Sequence, residues 1–186
     1  HIGAYSNGYS LGEIIGRGGT SGIGVFSFDF GGFIVDGGHS LKSKSSFLPS
    51  SASQAKPPQL LAHYDFPDDW EILLVILDSK NTVNGQKEVN IFQDYCPVPK
   101  NEVEQTSHII FMNMIPFLLE RDLPAFGHSI DEIQKRGFKN VEVSLQSQQI
   151  RDLMDKLREI GAYGVGMSSF GPTVYSVFDK NNKHIV

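Results

Sequence analysis

Two loops rich in glycine and hydroxyl side chains, near opposite ends of the 186-residue chain, constrain it more than any other feature. The first runs Gly16-Arg17-Gly18-Gly19-Thr20-Ser21-Gly22-Ile23-Gly24, the second Gly164-Val165-Gly166-Met167-Ser168-Ser169-Phe170-Gly171-Pro172-Thr173. Residues without a Cβ let backbone N–H groups crowd around one anion, and hydroxyls add donors at little steric cost. Each loop has the composition that a phosphate or pyrophosphate requires. Two of them point to a site closed from both sides.

Function classes fall away on charge and hydropathy. The net charge of −5 argues against a nucleic-acid surface, which is normally basic. No apolar run reaches membrane-spanning length, Trp70 to Leu77 being far too short, and there is no basic-then-apolar signal segment. The one cysteine, Cys96, cannot form an internal disulfide, which fits a reducing, cytoplasmic interior. Cys96 itself reads as a small buried hydrophobe rather than a catalytic thiol. Because His1 stands directly ahead of a dense motif, the chain reads as the later part of a longer polypeptide.

Patterning along the chain predicts an α+β protein. Residues 1–12 are glycine-rich and aromatic and read as the end of a strand. From Val25 to Asp36 two readings compete. Alternation of Phe26, Phe28 and Phe30 favours a hairpin. An amide-rich helix N-terminus facing an anion favours a helix from near Thr20, with a strand at Phe33–Val35. The second is preferred. Residues 40–58 have linker composition, with a domain boundary there. Trp70–Leu77 reads as a buried central strand and Asp78–Glu88 as a polar loop.

Further on, Asn101–Arg121 reads as a helix capped by Asn101 and kinked at Pro116. Asp122 caps the next helix, with Pro124 in its first turn and Gly137 at its end. A third starts at Ser147, with Ile150, Leu153, Met154, Leu157 and Ile160 as an apolar stripe closed by Gly161. The second loop and a strand, Thr173–Phe178, follow.

Several side chains are candidates for chemistry. Arg17 could grip phosphate or carboxylate oxygens as a guanidinium fork. Asp36, at a strand end beside Gly37-Gly38, suits a Mg²⁺ ligand or a general acid/base; an ordinary turn Asp explains it equally well. His39 is read as a hydrogen-bonded histidine, with proton carrier as the alternative. His63, His108 and His128 lack zinc spacing. Glu88 reads as surface, and Ser168 and Ser169 as donors to an anion rather than nucleophiles. The lysine and following hydroxyl of a Walker loop are missing.

Together, Gly16–Gly24, then Gly31-Gly32-Phe33-Ile34-Val35-Asp36-Gly37-Gly38, and Gly166–Tyr175 resemble the archaeal β-ribofuranosylaminobenzene 5′-phosphate synthase family, within the GHMP superfamily. Asp65-Phe66-Pro67, Gly85 with Glu88, and Phe126-Gly127 add weaker matches. The resemblance implies the end of an S5-like N-terminal domain at 1–42, a linker or mobile loop at 43–62, and a ferredoxin-like domain at 63–186. It also implies condensation of 4-aminobenzoate with phosphoribosyl pyrophosphate, losing CO2 and pyrophosphate, with Mg²⁺, in tetrahydromethanopterin biosynthesis.

On that resemblance, Gly16, Arg17, Gly18, Gly19, Thr20, Ser21, Gly22 and Gly24 bind pyrophosphate, and Gly166, Ser168, Ser169 and Gly171 close the far side. Asp36 and Arg17 are the catalytic candidates, Asp36 also the metal ligand. The N-terminal part of the same polypeptide is an implied partner, and a homodimer fits the resemblance too. The first loop lacks the Gly-Leu-Gly-Ser-Ser-Ala core of GHMP kinases, which argues against ATP phosphoryl transfer. A small-molecule kinase and a non-catalytic ligand-binding module are the rival readings.

Overall fold

The computed structural model describes residues 7–40, 42–49, 52, 55–78, 83 and 85–181. The chain forms two compact units, His1–Phe66 with Asn84–Cys96, and Pro67–Val83 with Pro97–Val186. The described residues of the 43–62 segment belong to the first of them.

In the first unit, residues expected to end a strand instead form helix α1, Gly8–Ile15; residues 1–6 of that expectation lie outside the described residues. Asn7 caps it by accepting from the Ser10 amide at 2.9 Å. Gly16, at φ 70°, closes it in a left-handed turn that side-chain-bearing residues rarely adopt. The helix-then-strand reading of the next stretch holds: α2 is Ile23–Phe30 and β1 is Phe33–Asp36. Alternating phenylalanines did not decide it, because Phe26 is buried while Phe28 and Phe30 are exposed. Asp29 ties α2 to α1, its two carboxylate oxygens accepting from the Gly8 amide at 2.7 and 2.8 Å.

β1 pairs antiparallel with β2, Leu60–Tyr64, with Ile34 opposite His63 and an irregularity between Val35 and Asp36. The polar loop expected at 78–88 overlaps the start of a third helix, α3, Gly85–Tyr95, which buries Ile91. A hydrophilic surface face hid its period in the sequence.

The second unit contains β3 (Trp70–Ile76), α4 (Lys100–His108), a π-helical segment (Ile109–Met114) and α5 (Ile115–Glu120). α6 (Leu123–Gln134), α7 (Gly137–Ser144), α8 (Gln148–Glu159), β4 (Val165–Met167) and β5 (Thr173–Asp179) follow. The three strands form an antiparallel sheet in the order β3-β5-β4.

Strand β3 corrects the central-strand expectation, since it is an edge strand. Leu73, Val75 and Leu77 pack on the core of Ile150, Met154, Leu157, Val165, Met167 and Val174. Ile72, Leu74 and Ile76 point the other way and are exposed at 52%, 60% and 71%. A continuous apolar run looks two-sided in sequence whether or not something covers its second face.

Pro116 is accommodated by the π segment, in which the Ile115 amide reaches back five residues to the Ile110 carbonyl. Widening by one residue re-phases the ladder ahead of the proline, which lacks a donor and crowds the preceding turn. Helix α4 starts one residue early, after Pro99, with Asn101 inside it and no side-chain cap. Asp122 does cap α6, accepting from the Ala125 amide at 3.0 Å, with Pro124 in the first turn. Gly137 does not end that helix; at φ 50° it starts α7, which the sequence reading lacked. The stripe on α8 is as read, except that Ile160 lies beyond the helix and is exposed.

Candidate functional site

The first glycine loop crosses from α1 to α2 in the first unit. Gly18 and Gly19 are buried and Thr20 and Ser21 exposed. Gly18 has φ 87°, and a Cβ there would stand 2.8 Å from the ring of Pro57. The loop therefore lies flat on the 55–58 segment because glycine alone fits.

Its far end is organised by Asp36. One carboxylate oxygen accepts from the Ser21 hydroxyl at 2.7 Å and the Gly22 amide at 2.8 Å, while the other accepts from the Gly38 amide at 2.9 Å. The Ile23 amide turns to Ser21 Oγ at 3.3 Å. So Asp36 and Ser21 together serve the first turn of α2, which sets the loop's shape before any ligand arrives. Gly24 has open space where a Cβ would be. Arg17 is exposed, and its guanidinium bonds to nothing among the described residues.

The 42–48 segment walls the other side. Lys44 Nζ donates to the Gly19 carbonyl at 2.5 Å and the Leu48 carbonyl at 2.6 Å, pinning a stretch of linker composition to the glycine loop. His39 Nε2 lies 2.8 Å from the Lys56 carbonyl and is therefore the protonated ring nitrogen. Between these walls and α3 lies a cavity of about 260 Å³ lined by Thr20, His39, Lys44, Phe47, Phe92 and Cys96. Burial pulls the Lys44 ammonium below the ordinary lysine range and pushes the Cys96 thiol above its own. The sequence reading missed Lys44, Phe92 and Cys96 as site residues. Lysine within a serine run carries no signal of its tertiary partner.

The second loop belongs to the second unit, where it joins β4 to β5. Ser168 N–H donates to the Thr173 carbonyl at 2.9 Å and Gly171 N–H to the Ser168 carbonyl at 2.8 Å. Two of its amides are thus committed within the turn. Ser168 and Ser169 are exposed, Ser169 at φ 48°. Gly166 is buried under the Tyr175 ring, which a Cβ there would overlap, and Gly171 packs over Met167. Lys139 holds the turn from below, donating to the carbonyls of Met167 at 3.2 Å and Ser169 at 3.3 Å.

Burial, with the Asp131 carboxylate close by, pushes the Tyr175 phenol up to about 12. An unfolded tyrosine ionises near 10, so the phenol stabilises the fold fully below about pH 10. That contribution is lost as pH rises from about 10 to 12, roughly 3 kcal/mol in all. Thermal melts between those pH values should show the decline, and Tyr175→Phe should flatten it. An unchanged alkaline slope in the variant refutes the assignment.

Residues 114–185, within the second unit, match the family described as GHMP kinases C terminal. The chain is 57% identical over 170 residues to the β-ribofuranosylphenol 5′-phosphate synthase of Methanothermobacter thermautotrophicus, covering 91% of this chain and 52% of that protein. It is 49% identical to the protein of that name from Methanocaldococcus jannaschii, over 94% of this chain and 53% of the relative. For the Archaeoglobus fulgidus protein the figures are 51% identity, 92% and 52%. Along nearly all of its length the chain is similar to β-ribofuranosylphenol 5′-phosphate synthases, and it spans about half the length of these curated relatives. A Listeria monocytogenes structure titled a homoserine kinase aligns over 64% of this chain with TM-score 0.41 and 20% identity, which adds nothing to that similarity. No helix among the described residues is long and apolar enough to cross a membrane.

Proposed function

We propose that this chain is the C-terminal portion of a decarboxylating ribosyltransferase that joins phosphoribosyl pyrophosphate to a para-substituted benzoate, releasing CO2 and pyrophosphate in methanopterin biosynthesis. The observation that carries this reading is the identity of 49–57% to relatives named as synthases of a ribofuranosylphenol phosphate, across nearly the whole of this chain. A phenol product corresponds to a 4-hydroxybenzoate acceptor and the aminobenzene of the motif resemblance to 4-aminobenzoate; the two differ only in the ring substituent. The S5-like and ferredoxin-like domain assignments belong to this proposal.

The chemistry assigns work to the first loop. Departure of pyrophosphate leaves an oxocarbenium-like carbon, which the ring carbon bearing the carboxylate attacks; loss of CO2 then restores the aromatic ring. The protein has to stabilise the leaving group and hold the two carbons together out of water. Backbone amides of Gly18 to Ser21 with the Thr20 hydroxyl would take the diphosphate, the Gly22 and Ile23 amides being held by Asp36 and Ser21, and exposed Arg17 would supply charge at its edge. Asp36 holds the loop in shape through Ser21 and Gly22.

Among the described residues no three His, Cys, Asp or Glu side chains are grouped to hold a metal ion. Asp36 nevertheless fits Mg²⁺ as a single ligand, because its Oδ1 accepts only the Gly38 amide and keeps a lone pair. Substrate phosphates and water commonly fill the other positions around this ion. When bound, Mg²⁺ neutralises charge on the departing diphosphate. In the second unit Ser168 and Ser169 offer exposed hydroxyls as anion donors.

The N-terminal part of the polypeptide is the proposed partner of the first unit. A two-stranded sheet is marginal alone. Ile14, Ile15, Ile23, Phe28 and Phe30 are all exposed there, as expected of a core that lacks a layer.

The test is release of labelled CO2 from carboxyl-labelled 4-hydroxybenzoate and 4-aminobenzoate, offered to the full-length protein with phosphoribosyl pyrophosphate and Mg²⁺. ADP formation from ATP and a small alcohol, without CO2, would favour a GHMP kinase, the reading that the C-terminal family name supports. Tight phosphoribosyl pyrophosphate binding without turnover would indicate a non-catalytic module. Arg17→Ala should weaken diphosphate binding about tenfold, seen as a raised KM for the ribosyl donor. Unchanged kinetics would remove Arg17 from the site.

A further inference from the structure

The cavity beside the glycine loop holds a cation, Lys44, whose charge no side chain among the described residues balances. Lys44 is half-buried, and two of its three ammonium protons go to the carbonyls of Gly19 and Leu48. No carboxylate among the described residues pairs with it. A partly desolvated charge without a counter-ion is costly, and an anion in the cavity would offset that cost. The third ammonium proton is free for such an anion. The rest of the lining brings the rings of Phe47 and Phe92 and the half-buried thiol of Cys96 beside the hydroxyls of Ser45 and Ser46. Thr20 belongs both to this lining and to the glycine loop.

We infer that this cavity binds a small aromatic carboxylate, with Lys44 as its counter-ion and Phe47 and Phe92 flanking its ring. The inference rests on the proposed synthase reading and deepens it by locating the ribosyl acceptor next to the diphosphate loop. One lysine matches one carboxylate charge, and two aromatic side chains match a ring; a phosphate dianion would carry one charge more than Lys44 balances and would leave the rings of Phe47 and Phe92 unused. The volume of about 260 Å³ accommodates a substituted benzoate.

Cys96 reports occupancy directly. With the full-length protein, alkylation of Cys96 by iodoacetamide at mildly alkaline pH is followed by peptide mass spectrometry. 4-Hydroxybenzoate and benzoate should slow it several-fold, whereas benzyl alcohol, which lacks the charge, should not. Lys44→Met should weaken 4-hydroxybenzoate binding in calorimetry by about tenfold, and Lys44→Arg should restore most of it. Protection of the unmodified protein decides the matter even where Lys44→Met fails to fold. Protection by ribose 5-phosphate or inorganic phosphate, with none by the aromatic acids, would overturn the assignment in favour of a phosphate subsite. Labelled CO2 release accompanied by no Cys96 protection would overturn it while leaving the synthase reading intact. Absence of both CO2 release and aromatic-acid binding would remove the two together.

Discussion

Gly127→Ala should cost the second unit about 3 kcal/mol or more, among the largest losses that any single methyl group could cause here. Gly127 is buried on α6 where that helix meets the chain entering β4. A Cβ there would overlap the Tyr163 carbonyl and lie 2.8 Å from the Gly164 amide nitrogen. Those are backbone atoms, so no rotamer change relieves the clash; the helix has to move. Moving it breaks more than packing. Asp131 and Gln134, one and two turns further along the same face, accept from the amides of Val165 at 3.1 Å and Met167 at 3.0 Å. These bonds serve the outer edge of β4, beside which no strand lies among the described residues. Arg158 donates to the same Asp131 at 2.8 Å and would lose its anchor too. A melting temperature about 10–20 °C lower should result for a unit of roughly 100 residues. A shift under about 2 °C would show that α6 and β4 can separate freely, contrary to this packing.

The second large effect should come from Asp36→Ala, and it should fall mainly on activity. Removing the carboxylate leaves Gly22 N–H, Gly38 N–H and the Ser21 hydroxyl without their acceptor. All three lie near water, so the stability loss should stay near 2 kcal/mol. The loop's shape is more vulnerable. Displacement of loop donors by about 1 Å can cost on the order of 100-fold in rate, and that is the loss expected in kcat/KM for CO2 release. Two readouts separate a positioning role from metal binding. If Asp36 only braces the loop, raising Mg²⁺ will not restore the variant. A ligand role predicts a raised Mg²⁺ requirement, partly overcome at high concentration. Asp36→Asn should be intermediate, because its amide can still accept from Gly22 but sets an N–H₂ group against the Gly38 amide or the reverse. Full activity in Asp36→Ala would exclude both roles.

Much of the local structure was legible because it depends on neighbours in sequence. The Asp122 cap with Pro124 behind it and the Ile150–Leu157 stripe of α8 need only helical geometry to be read. The helix at Ile23–Phe30 was found by asking what an anion-binding loop leads into, since the alternating phenylalanines pointed to a strand. Conversely, α3 was missed because one buried residue, Ile91, gives too little period to detect.

The candidate site divides the same way. Glycines and hydroxyls at 16–24 mark a candidate ligand loop by composition, and Asp36 stands out as a carboxylate at a strand end. That Asp36 closes on Ser21 and Gly22 depends on β1 returning alongside the start of α2, which no spacing rule encodes. Lys44 shows the point most clearly. In sequence it is one of two lysines in a serine-rich run, yet in the fold it grips Gly19 and lines a cavity with Cys96, more than fifty residues away. Its exposed neighbours Ser45 and Ser46 follow the composition rule; Lys44 does not.

Sequence alone therefore determined that Asp122 caps α6, which face of α8 turns inward, and that a Gly-Ser loop precedes α2, because those follow from backbone sterics and hydrogen bonds a few residues long. Only the tertiary structure decided that β3 lies at a sheet edge with one face covered, that α6 approaches β4 through Gly127, and that Lys44 faces a cavity rather than water. Burial and charge pairing belong to surfaces that meet across long separations in the chain, so the energy deciding them is not contained in any local stretch.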